Sequence, residues 1–254
     1  MAISVSGSDP ADLIPVIAGI FLLAGFIKGV IGIGLPTVVM GLLGAVMAPA
    51  QAASLLVIPS VATNVWQLAA GPSFLRLVRR LWVLLAGVCI GTWAGAGFMT
   101  GGSAEHTRLA LGVVLALYGC TGFTTVRFTV SAAAARWLSP IVGVITGLLT
   151  GATGVSVLPA VPYIQALGLE KEELVQALAL SPMVSALALG LSLASGGVLG
   201  LALAGASLLA IVPALAGMYA GQRLRLRVSE AVFRRAFFAG LIALGAYLAV
   251  RNLG

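Results

Sequence analysis

Acidic side chains are nearly missing from this chain, with seven Asp and Glu against fourteen Lys and Arg in 254 residues. None of the seven (Asp9, Asp12, Glu105, Glu170, Glu172, Glu173, Glu230) falls inside a long apolar run, so a buried carboxylate proton relay has no carrier. Charge of either sign is scarce, at 8% of residues, where soluble domains carry about a quarter. Only two cysteines occur, Cys89 and Cys120, both within apolar runs; they read as small core residues and imply no disulfide. The one histidine, His106, stands in a polar turn as a surface residue. No Walker loop, His-x-x-x-His pair or nucleophile–base set appears, and Gly32-x-Gly34 lacks the third glycine of a dinucleotide fingerprint. The chain therefore reads as no enzyme, with no cofactor and no metal. Its start, with Asp9 and Asp12 and no basic stretch, does not read as a secretory signal.

What is present is hydrocarbon. Hydrophobic residues make up 60% of the chain and the mean hydropathy is +1.13, which defines an all-α polytopic membrane protein lying in a lipid bilayer. The net charge of +7 comes mostly from arginines in short loops, a topology signal and not a nucleic-acid footprint.

The stretch Gly25-Phe26-Ile27-Lys28-Gly29-Val30-Ile31-Gly32-Ile33-Gly34-Leu35-Pro36 organises the rest. It lies in an apolar run, 13–47, whose one charge is Lys28. A lone lysine in hydrocarbon is costly and marks a functional position. The glycines and Pro36 predict a helix that stops at Gly29, a bare loop, and a new helix with Pro36 in its first turn. Such a break survives at membrane depth only where it lines a cavity or packs against protein. The new helix would aim free N–H groups and its positive dipole end at the break, beside an ammonium: an anion site.

Spans follow at 52–71, 81–99 and 109–126, and then the pattern restarts. A second broken run, 140–167, is interrupted at Thr150-Gly151-Ala152-Thr153-Gly154-Val155-Ser156 and is followed by spans 174–194, 198–220 and 236–250. Gly25, Gly29, Gly32 and Gly95 align with Gly147, Gly151, Gly154 and Gly217 at an offset of 122, and Pro36 and Pro59 with Pro159 and Pro182 at 123. Helix breakers matching at six places indicate a duplication, with a first repeat at 1–128 and a second at 129–254.

Charge then predicts topology. The arginine-rich loops 76–80, 127–136 and 223–235 should all be cytoplasmic. That holds only if each broken run is a re-entrant hairpin, entering and returning on one side; the arm 36–47 is 12 residues, roughly 18 Å of helix against a core of roughly 30 Å. Each half is then a broken hairpin plus three transmembrane helices, the two repeats are inverted, and both termini are periplasmic. Gly87, Gly91 and Gly95 form a stripe suited to an internal contact or to a homodimer.

Two breaks entering from opposite faces would meet near the midplane, where inverted-repeat transporters hold substrate. Lys28 supplies charge there, Gly29, Gly32 and Gly34 expose backbone, and Thr150, Gly151, Thr153, Gly154 and Ser156 supply hydroxyls and amides from the second break. Thr63, Asn64 and Gln67 beyond Pro59, and Ser181 and Ser185 around Pro182, complete the candidate substrate-binding set. One cation with hydroxyls and amides suits a small oxyanion. The glycine stretch, with Pro59-x-x-x-Thr63-Asn64-x-Trp66-Gln67 and the weaker copy from Gly147 to Pro159, resembles the TauE/SafE family of sulfite exporters over essentially the whole chain. The resemblance implies a carrier in the bacterial inner membrane for sulfite, sulfonates and related sulfur compounds or small organic anions. The resulting expectation is a secondary transporter exporting sulfite or an organosulfonate by alternating access as the inverted halves rock. Its rival is an ion-coupled importer of a small organic anion, in which unwound carbonyls hold the coupling cation.

Overall fold

A computed structural model describes residues 10–123, 129–225 and 229–251. Expectations for both chain ends, for Arg127 and for the end of the 109–126 span lie outside the described residues. Among the described residues the chain is helical and forms no strand. The first half holds α1 (Pro10–Ile31), α2 (Leu35–Val46), α3 (Pro49–Ala69), α4 (Phe74–Gly101) and α5 (Ala104–Thr121). The second holds α6 (Ala132–Thr153), α7 (Ala160–Ala166), α8 (Lys171–Ser195), α9 (Leu201–Leu209), α10 (Ile211–Leu224) and α11 (Glu230–Arg251). Seven helical stretches among these are long and apolar enough to cross a bilayer.

Both breaks exist, each shifted toward the C-terminus of its expected position. The first helix runs through Gly29 to Ile31 and opens at Gly32, and the second runs through Gly151 to Thr153 and opens at Gly154. The reason is packing. Gly25 and Gly29 lie against α10, where an added Cβ would stand 2.0 Å from the Ala214 carbonyl oxygen and 2.2 Å from that of Met218. Gly143, Gly147 and Gly151 lie in the same way against Leu84, Val88 and Thr92 of α4. A glycine so used keeps helical geometry because the neighbouring backbone, not an open loop, fills the space of its missing side chain. The first arm is also longer than expected: 13–31 is 19 residues, enough for nearly the whole core, so only the returning arms α2 and α7 are short.

The expected spans shift too. The 109–126 span corresponds to α5, which falls outside the seven crossing-length helices because its first turns carry Glu105, His106 and Arg108. The 198–220 span is divided at Ala210 into α9 and α10; Pro213 has no N–H to give the Leu209 carbonyl, which loosens the helix there. Neither thiol is a core residue: Cys89 is half-buried and Cys120 exposed.

Hydrogen bonds show which ends of the elements meet. The Val130 amide donates to the Ala166 carbonyl at 2.9 Å, and the Tyr163 hydroxyl reaches Ser139 Oγ at 2.6 Å, so the segment through α6 and α7 leaves and returns at one end of the molecule. Arg80 donates to Leu167 O and Arg76 pairs with Glu173 at 3.0 Å, which puts the start of α4 at that same end. At the opposite end, Arg108 donates to the carbonyls of Gly44 and Met47, and Arg251 to that of Ala45. These guanidinium groups satisfy the last carbonyls of α2 and sit favourably at its negative dipole end. Residue contacts rise together along α1 and α10 and along α4 and α6, so each pair is parallel, whereas α5 and α11 run antiparallel through Gly112 against Gly245. The Gly87, Gly91 and Gly95 stripe is therefore an internal contact with α6.

Two amides close the arginine-rich end between α3 and α8. Gln67 Nε2 donates to Val175 O at 3.0 Å, and Gln176 Nε2 donates to the carbonyls of Leu68 and Gly71. Gln176 Oε1 accepts from the Ser73 amide at 3.0 Å. Gln176 caps the frayed end of α3 with every polar atom it has. Gln176→Leu should lower stability by about 1–3 kcal/mol, the cost of orphaning such groups, read as a lower thermal midpoint in detergent.

Candidate functional site

Lys28 is 4% exposed. Its ammonium is turned into the protein, donating to Thr63 Oγ1 at 3.1 Å and Asn64 Oδ1 at 2.5 Å. Sequence explains this geometry. Thr63 spends its own proton on the carbonyls of Pro59 and Ser60, which leaves its oxygen free to accept. Asn64 is oriented by the lysine, so that Nδ2 faces Ser60 Oγ at 3.4 Å. Among the described residues no carboxylate approaches Lys28, and its third N–H has no protein partner. Gln67 donates to the Gly32 carbonyl at 3.1 Å, and its Oε1 is buried without a partner among the described residues.

The two breaks share one design. Gly32 has φ +88° and Gly154 φ +76°, conformations that cost glycine little. The Gly32 amide donates to the carbonyl of Lys28, and the Gly154 amide to that of Thr150, both at 2.7 Å. Lys28 and Thr150 thus occupy matching places at the ends of their helices. Gly34, with φ +114°, starts α2; its carbonyl accepts from Thr37 Oγ1. On the second break Thr153 Oγ1 donates to Leu149 O and accepts from the Val155 amide. The matching proline is less regular: Pro36 lies in the first turn of α2, whereas Pro159 precedes the seven-residue α7.

A cavity lies between the breaks. It is lined by Pro36 from the first, Thr150, Gly154 and Ser156 from the second, and Ser60 and Ser185 from the middles of α3 and α8. About 10 Å³ is open to the centre of a water-sized sphere, room for about one water, and Leu56, Val57, Pro182, Ala186 and Leu189 complete the wall. Ser185 is 1% exposed and its hydroxyl has no partner among the described residues; Ser181 and Thr146 are likewise buried and unpartnered. Thr150 Oγ1 is turned to the carbonyl of Thr146.

The expected set is thus divided. Thr150, Gly154, Ser156 and Ser185 line the cavity. Lys28, Thr63 and Asn64 form a cluster linked to it through Ser60. Gly32 and Gln67 stand at the arginine-rich side of that cluster, while Gly29 and Gly151 lie in the helix contacts with α10 and α4. Ser60, Pro36 and Gln176 were missed. Ser60, four residues before Asn64 on one helix face, and Gln176, an amide inside an apolar run, both carried a signal. Ser207 carried none, yet its hydroxyl donates at 2.8 Å to Leu55 O, the carbonyl that Pro59 leaves without a helical donor.

A crossing bundle interrupted twice, with a buried lysine that no described carboxylate approaches beside a small cavity with four hydroxyl side chains in a largely apolar wall, has the build of a membrane transporter. The sequence profile of the sulfite exporter TauE/SafE family matches residues 17–248, and the chain belongs to that family. It is accordingly a multi-pass membrane transporter of the sulfite-exporter kind. No curated protein and no solved structure matches it.

Proposed function

We propose that the protein exports sulfite or an organosulfonate across the bacterial inner membrane, holding the anion between the two breaks. The observation that carries this reading is the cavity itself, reached from both halves, with the unpartnered Ser185 hydroxyl in its wall and Lys28 behind Ser60 and Asn64. Hydroxyls and amides would take the oxyanion's oxygens and Lys28 its charge. Residues 1–128 and 129–254 act as inverted repeats in this reading. Support comes from the reciprocal pairs α1 with α10 and α4 with α6, and from the hairpin whose two ends meet at Val130 and Ala166. With Arg76, Arg79, Arg80, Arg136, Arg223 and Arg234 on loops and helix ends at one face, the positive-inside rule makes that face cytoplasmic and the termini periplasmic. An inside-negative potential then drives an anion outward by about 2.3 kcal/mol per charge per 100 mV, so no coupled ion is required.

Flux of labelled sulfite in proteoliposomes tests the reading, and no flux above empty liposomes would end it. Ser185→Ala should leave the thermal midpoint unchanged, because it removes a hydroxyl with nothing to bond. The same change should weaken anion affinity about three- to tenfold, one lost hydrogen bond.

A further inference from the structure

We infer that the site selects singly charged oxyanions, hydrogensulfite or a simple sulfonate, over dianions carrying the same sulfur–oxygen group. This rests on the anion-transport reading above and adds the charge state of the cargo. Lys28 is the one charged residue among the buried polar groups described. Its ammonium meets two neutral acceptors, Thr63 and Asn64, and no carboxylate. The polar lining of the cavity is all hydroxyl, from Ser60, Thr150, Ser156 and Ser185. Hydroxyls donate or accept and so adapt to any oxyanion, but they supply no net charge.

The electrostatic balance then closes only for an anion of charge minus one. A monoanion and Lys28 together are neutral, whereas a dianion leaves one uncompensated charge at membrane depth, where isolated charge is heavily penalised. A zwitterionic aminosulfonate fails for the opposite reason, because its ammonium adds a second positive charge to a region with no carboxylate among the described residues. The wall hydroxyls set which atoms are recognised; the single lysine sets how much charge they bring.

Methanesulfonate and sulfate provide the test, since both are tetrahedral at sulfur and share an SO3 group, and sulfate carries a fourth oxygen and one more negative charge where methanesulfonate carries a methyl. Each is titrated against labelled sulfite bound to the purified, full-length protein, at fixed pH and ionic strength. Methanesulfonate should displace the label at concentrations at least about tenfold lower than sulfate, given the penalty on an unpaired charge. Equal displacement, or tighter binding of sulfate, overturns the charge selection while leaving anion transport standing. If sulfite neither binds nor is carried, the transport reading fails and the inference with it. Lys28→Gln should bring the two competitors to within about twofold, and a preserved preference in that variant also overturns the assignment.

Discussion

Lys28→Met should cut anion flux by about 100-fold, the worth of one compensated charge at membrane depth, while leaving the protein about as stable as before. The two halves of that expectation have different causes. For flux, the lysine is the one buried charge described, and without it only hydroxyls and helix-end amides among the described residues would meet an incoming negative charge. For stability, methionine follows the lysine stem in length and removes a buried ammonium that costs about 3 kcal/mol on insertion scales. Against this gain, Asn64 Oδ1 loses its donor, a penalty of about 1–3 kcal/mol. Thr63 loses little, because its proton already goes to Pro59 O and Ser60 O. The opposing contributions nearly cancel. Lys28→Met combined with Asn64→Leu removes the orphan as well and should raise the thermal midpoint above that of the wild type. The check is proteoliposome flux beside thermal unfolding of the same preparations. A stable variant with wild-type flux would take the lysine out of the mechanism; a large fall in stability would show that its bonds to α3 are worth more than its desolvation costs.

Gly147→Leu should prevent the bundle from assembling. A Cβ there would lie 2.3 Å from Val88 O and 2.6 Å from Thr92 N, both backbone atoms that a rotamer change cannot move. Helices in lipid are held by close van der Waals contact and not by exclusion from water, so forcing these two apart removes the attraction along the whole seam. Gly97 on α4 is the control, because an added Cβ there meets nothing within 4 Å. Gly97→Leu should express and behave as the wild type. The measurement is the yield of monodisperse protein after detergent extraction, with near-total loss expected for Gly147→Leu. Gly29→Leu should behave like Gly147→Leu and not like a substrate-site variant, since its Cβ would stand 2.2 Å from Met218 O.

The placement of these features was legible to different depths. Lys28 and the two breaks could be read directly, because a charge in hydrocarbon and clustered glycines have few structural explanations. Where each break begins could not. Gly29 and Gly151 are break residues by composition, and only their contacts with α10 and α4 reveal that they belong to intact helix. The same ambiguity hid the partner of the Gly87 stripe, for a row of small residues states that something comes close without stating what. Hydropathy gave no hint that Lys28 would sit one hydrogen-bond layer from the cavity. That depends on which way Asn64 turns, a matter of tertiary packing. Ser181 lies beside Pro182 as expected, but among the described residues its hydroxyl bonds to nothing and it is not part of the cavity wall.

The parallel seams of α1 on α10 and α4 on α6 bear on how such a molecule moves. Each seam joins the opening helix of one half to a later helix of the other, backbone against backbone. The halves are clasped like interlaced fingers, and pulling them apart as two blocks would unzip both seams at once. A motion between faces that kept both seams intact would have to use parts outside the clasp. The short arms α2 and α7 lie outside both seams, and each follows a break with a glycine at positive φ, Gly32 and Gly34 in the first and Gly154 in the second.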